Sequence, residues 1–122
     1  MAKKLIIVLL NTDPATPGEL VAPLFQATVA AAMDYEVEVV LTGRAGELAK
    51  SGVVDTLRPR DDSSKTVHDL IRDAREAGAK FKLCSPTREF GVEPLIPEIE
   101  EIVGGAYIIS EAMTDGTVTF TY

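Results

Sequence analysis

The run Leu5-Ile6-Ile7-Val8-Leu9-Leu10 has no polar face and is stopped at once by Asn11-Thr12-Asp13-Pro14. A strand that is apolar on both sides must be covered on both sides, as the central strands of a parallel sheet are by flanking helices. The rest of the chain supplies such helices, because short apolar strands alternate with helix-length amphipathic segments. The expectation is α/β: a three-layer α/β/α sandwich with a mostly parallel, about five-stranded sheet of Rossmann-like or flavodoxin-like kind.

The elements can be followed along the chain. "TPGE" offers Thr16 as an N-cap, Pro17 at N1 and Glu19 at N3, a capping box opening a helix that runs to about Met33. Pro23 lies inside it and lacks an N–H, so either the first turn is irregular or the regular helix starts later. Leu20, Val21, Leu24, Phe25, Val29 and Met33, with the intervening alanines, leave almost no polar face, which points to a subunit interface as well as a sheet. Glu36 to Thr42 forms the second strand, and its Glu/Val alternation suggests one partly exposed face. "AGELAK" reads as a short helix, and Val53 to Leu57 could lie extended. Val67, Leu70, Ile71, Ala74 and Ala77 then recur at helical spacing up to the stop at Gly78. Lys80 to Cys84 is the third strand and a short one lies near Glu100 to Val103. Gly104-Gly105 makes a tight turn into a helix over Ala106 to Met113, and Thr117 to Tyr122 is the last strand.

Length and composition bound the rest. A chain of 122 residues is expected to form one domain, residues 1–122, with a core that needs no staple. Lys3 and Lys4 before the apolar run imitate a signal peptide, but the run is too short and no small-residue cleavage site follows. No segment approaches the ~20 apolar residues that span a bilayer, so a soluble protein is expected. The net charge of −7, without a Lys/Arg run, disfavours nucleic acid as a partner. The one cysteine, Cys84, has no partner for an intrachain disulfide and no companions for a zinc site. A free thiol suits a reducing, cytoplasmic setting.

Cys84 is the residue that composition leaves open, as inert packing or as chemistry. In an open parallel sheet the carboxyl ends of the strands share one rim, where ligand sites form. That rim collects Asn11-Thr12-Asp13, Thr42-Gly43-Arg44, Cys84-Ser85 and Gly104-Gly105. A thiolate there would be favoured by backbone N–H groups at a helix start within Ser85 to Phe90 and by Arg88, with Arg44, Arg58 and Arg60 on rim-side loops. The loop "NTDPATPGE" is a poor phosphate cradle, since Pro14 and Pro17 each remove a donor, yet Asn11 and Thr12 could hold a small anion. His68 reads as a solvated or partly packed histidine rather than a metal ligand. Asp61-Asp62 and Glu100-Glu101 read as solvated charge. No metal or cofactor is expected.

Three stretches carry a family resemblance: "KKLIIVLLNTDP", "EVEVVLTG" and "KFKLCSPTREFGVEPLIPEIEEIVGGAYIISEAMTDGTVTFTY", joined by the Ala-rich first helix. Over essentially its full length the chain resembles the DsrE/DsrF-like proteins, small α/β domains that include sulfur-relay subunits of the TusD type. The resemblance implies that Cys84 carries sulfane sulfur as a persulfide or related adduct and exchanges it with a TusA-like carrier. It also implies assembly as a trimer or hexamer. The rival reading is a small-ligand or partner-binding module in which Cys84 only packs. A peroxide-reducing thiol is a third, disfavoured by the lack of a resolving cysteine.

Overall fold

The computed structural model describes residues 3–84 and 94–122. Five strands form one sheet in the order β4-β3-β2-β1-β5, and every neighbouring pair is parallel. They are β1 Lys4–Leu9, β2 Glu36–Leu41, β3 Lys80–Cys84, β4 Ile99–Val103 and β5 Thr117–Thr121. Helices α1 Val21–Ala32, α2 Val67–Ala77 and α3 Gly105–Ala112 complete the layers.

The side-chain alternation of each strand assigns the layers. Ile7 and Leu9 of β1, Val37, Val39 and Leu41 of β2, and Phe81 and Leu83 of β3 join Leu24, Ala27, Val67, Ile71 and Ala74 in the main core under α1 and α2. The alternate positions Ile6, Val8, Val40 and Val103 form a smaller cluster, against which Tyr107 and Ile108 of α3 pack. The three-layer sandwich is therefore unequal. One face carries two helices with buried stripes, the other an eight-residue helix with no fully buried side chain.

The topology explains why α3 lies where it does. The chain steps from β1 out to β4 at one edge, and β5 then pairs with β1 at the opposite edge. The return connection has to cross β3, β2 and β1, and reversing the direction of travel with right-handed crossovers puts its helix on the other face.

Local chemistry accounts for the boundaries. Thr66 caps α2 through a reciprocal box: its hydroxyl accepts from the Asp69 N–H at 3.2 Å and the Asp69 carboxylate accepts from the Thr66 N–H at 2.9 Å. Gly78 then ends the helix at φ +123°, a conformation that favours glycine. The expected box at Thr16 does not form. Pro17–Leu20 is a 3-10 turn, the Thr16 hydroxyl donates to the Asp13 carbonyl at 3.3 Å, and α1 starts only at Val21. Pro23 then falls in the first turn of α1, where a missing N–H leaves no helical bond unmade. "AGELAK" belongs to a 3-10 helix over Gly43–Ala49, and residues 51–56 run through turns rather than lying extended. Gly43 itself has φ +55°, and a Cβ there would lie 2.8 Å from Leu10 Cδ1 and 2.9 Å from the Leu10 carbonyl oxygen.

Candidate functional site

Because all five strands are parallel, their carboxyl ends share one rim, and Cys84 stands on it as the last residue of β3. Its face follows from its neighbours. Phe81 and Leu83 enter the α1/α2 core, whereas the Lys82 ammonium reaches Tyr107 of α3 at 2.6 Å. Cys84, two residues beyond Lys82, thus belongs to the α3 face. Its register partner on β4 is Val103, which immediately precedes the glycine pair opening α3. The thiol is 4 % exposed and free of any disulfide.

The other residues named from the sequence are distributed unevenly. Asn11 and Thr12 follow β1, with the Asn11 N–H donating to the Tyr122 carbonyl at 2.9 Å. Thr12 is buried, and its hydroxyl has no hydrogen-bond partner. With β2 between β1 and β3, this position lies about 10 Å from the line of Cys84, two strand spacings away. Arg44 follows β2, and its guanidinium leans toward β1, 3.5 Å from the Asp13 carboxylate, while remaining 72 % exposed. Arg58 donates to the Ser63 carbonyl and Arg60 faces Asp62, so both are engaged within their own loop. Ser85 and Arg88 lie outside the described residues, as does the helix start expected over Ser85 to Phe90. The Gly104-Gly105 pair needs no glycine-specific backbone. Gly104 is extended at φ −104°, Gly105 has no positive φ, and a Cβ on Gly105 would meet nothing within 4 Å.

A buried charge row beneath α3 is absent from the sequence-based expectations. Glu38 was assigned to a partly exposed strand face, yet it is 3 % exposed and bound on both sides. Lys4 from β1 pairs with it, Lys82 from β3 lies 3.0 Å away, and the Tyr107 hydroxyl donates to it at 2.5 Å. The outer ends are closed by Glu36 and Glu111 on Lys4 and by Glu101 on Lys82. Burial works against the charge of Glu38, but hydrogen bonds from Lys4, Tyr107 and Lys82 outweigh it and lower its pKa. Both lysines are likewise opposed by burial, then raised above the ordinary ammonium range by their carboxylate and phenol partners. They are therefore fixed cations rather than bases or nucleophiles. The sequence signal was present in the form of lysines and a glutamate at same-face positions of strands that are otherwise apolar.

His68 is also more enclosed than expected. It is buried on α2, with Nε2 2.8 Å from Oε1 of the buried Glu98. Burial alone would raise the Glu98 pKa, but the His68 hydrogen bond, a backbone hydrogen bond and the charge of Arg72 together outweigh it and the pKa falls. An ionised carboxylate only accepts, so Nε2 carries the proton. Arg72 stands 3.7 Å from the second carboxylate oxygen. Among the described residues no cluster of His, Cys, Asp or Glu could hold a metal ion, and no helix is long and apolar enough to cross a membrane.

A second feature lies away from the rim. Phe25 of α1 and Met33, which caps its carboxyl end, are 65 % and 60 % exposed, and with Val29, Tyr35, Val118 and Phe120 they line an apolar groove of about 340 Å³ beside edge strand β5. The helix expected to have almost no polar face thus carries its surplus apolar side chains on the surface.

Comparison with known proteins agrees with this architecture. Among solved structures the chain resembles the YchN protein of E. coli, with a TM-score of 0.74 at 16 % identity over 100 % of both chains. It also resembles BT1422 of Bacteroides thetaiotaomicron, a conserved protein of unknown function, with a TM-score of 0.63 at 15 % identity over 98 % of this chain and 95 % of that one. At such identities the likeness is one of fold. No curated protein matches the sequence. The DsrE/DsrF-like family matches over residues 4–122, from the first residue of β1 through the end of β5, and the chain belongs to that family.

Proposed function

We propose that the protein is a small cytoplasmic sulfur-transfer protein that carries sulfane sulfur on Cys84. The observation that carries this reading is the place of the chain's one cysteine at the carboxyl end of β3, on the ligand-binding rim of a DsrE/DsrF-like fold. The Cys84 thiolate attacks the terminal sulfur of a donor persulfide. The donor S–S bond breaks, its electron pair leaves on the donor thiolate, and a Cys84 persulfide is formed. A thiolate on a TusA-like partner then attacks the outer sulfur and releases Cys84 as the leaving group. Of the side chains along the rim, Thr12 has an unused hydroxyl with which to meet an anion. Arg44 brings positive charge to the rim, tempered by Asp13. Asn11, Ser85 and Arg88 complete the proposed set. The apolar α1/β5 groove supports self-assembly, as a trimer or hexamer, away from the rim.

Incubation with polysulfide should add the mass of one sulfur atom to the native protein and nothing to Cys84→Ala. An unchanged mass, under conditions that modify a control thiol, sinks the proposal. A second reading draws on the burial of the thiol: a partner-binding module with a structural cysteine. Slow reaction of Cys84 with iodoacetamide at neutral pH, together with full partner binding by Cys84→Ala, would favour it.

A further inference from the structure

Helix α3 is attached to the sheet unlike the other two helices. α1 buries Pro23, Leu24, Ala27 and Ala31, and α2 buries Val67, His68, Ile71 and Ala74, whereas α3 buries none of its residues. Tyr107 and Ile108 make partial apolar contact with the small cluster, and Ile109 and Met113 face solvent. The rest of the attachment is polar. The Tyr107 hydroxyl accepts from Lys82 at 2.6 Å and donates to Glu38, and Glu111 accepts from Lys4. The element held by the fewest buried apolar contacts is the one that opens at least free energy.

The same helix covers the face to which Cys84 belongs. Val103, paired with Cys84 in the sheet, belongs to the small cluster against which Tyr107 and Ile108 pack. At the junction of Val103 with α3 stand two glycines, the cap Gly104 and the first helical residue Gly105, that neither the backbone angles nor, at Gly105, the available space requires. Glycine without a steric reason leaves the freedom of rotation itself as its contribution.

We propose that α3 is a hinged cover over the thiol-bearing face, with Gly104–Gly105 as the hinge and Tyr107 and Glu111 as the fasteners, and that Cys84 is reached when the helix lifts. This rests on the reading of Cys84 as a sulfur acceptor. It adds a conformational gate to that reading, and the buried charge row becomes the latch. The gate also reconciles a thiol that is 4 % exposed with a transfer that needs collision between two sulfur atoms.

Two variants of the intact chain act on the cover in opposite directions. Tyr107→Phe removes the hydroxyl shared by Lys82 and Glu38, and the rate of Cys84 alkylation by iodoacetamide should rise about tenfold. Gly105→Pro stiffens the hinge without strain, because proline suits the first helical position and Gly104 already has the extended backbone required before it. Its alkylation rate should fall about threefold. Circular dichroism establishes that each variant is folded. A rate equal to wild type in either folded variant overturns the cover. The extent of polysulfide loading is read in parallel. Loading with unresponsive rates removes the gate alone, whereas responsive rates without loading remove the sulfur-acceptor reading and leave the gate standing.

Discussion

Glu38→Gln is the sharpest probe of the buried charge row, since it keeps the shape of the side chain and removes its charge. Glu38 receives hydrogen bonds from Lys4, Lys82 and Tyr107, and bonds to a charged group are worth about 1.5–3 kcal/mol each when counted singly. The loss is smaller than three such bonds. The amide oxygen still accepts, Lys4 retains Glu36 and Glu111, and Lys82 retains Glu101 and Tyr107. The destabilisation should therefore fall at the low end of the range for breaking a buried pair, about 3 kcal/mol at pH 7. The pH dependence gives the diagnosis. The folded pKa of Glu38 lies below its unfolded value, so its contribution is complete above about pH 4.3 and is lost as pH falls through the folded pKa. Urea unfolding of both proteins from pH 7 down to pH 3 should show the difference narrowing as the wild type loses its own advantage. A difference under about 1 kcal/mol at pH 7, or one that persists unchanged at low pH, would refute the account of Glu38 as a buried, stabilising anion.

Other outcomes follow from single residues. Gly43→Ala places a Cβ at positive φ against the Leu10 carbonyl and should cost about 2 kcal/mol in a urea titration; a neutral result would mean that the loop after β2 relaxes freely. Thr12→Val swaps an unpartnered buried hydroxyl for a methyl group, so the midpoint of unfolding should rise by the equivalent of about 1 kcal/mol while polysulfide loading slows; a clear loss of stability would show that the hydroxyl is satisfied in solution. Thr66→Ala removes the cap of α2 and should lower stability by about 1 kcal/mol by the same titration, an effect that an unchanged midpoint would contradict.

What the sequence disclosed depended on how far apart the deciding residues lie. β1, β3 and α2 could be read almost to the residue, because an uninterrupted apolar run and a 3.6-residue stripe ending at glycine are local signals. The rim position of Cys84 followed from strand order alone. Glu38 could not be placed the same way. The Glu/Val alternation of β2 looks like a half-solvated strand, and only pairing with β1 and β3 brings Lys4 and Lys82 to either side of it. Tyr107 arrives later still, after the crossover. His68 was misjudged for the same reason, since Glu98 lies thirty residues further on. The Thr16 box failed locally: its spacing was right, but the chain from Pro17 to Leu20 takes up a 3-10 turn before α1 begins.

The position of β5 has a consequence for the order in which the molecule can be made. β1, the earliest in chain order of the five strands, reaches its second neighbour only when Thr117–Thr121 pairs with Lys4–Val8, and Tyr122 then accepts the N–H groups of Leu10 and Asn11. Until then β1 presents an open edge of unpaired backbone on a growing chain. Closure between such distant segments is slow, and an open edge is a template for pairing with other chains. A chain without residues 117–121 is thus the species most exposed to wrong pairing, and the five-residue strand β5 is what closes that edge.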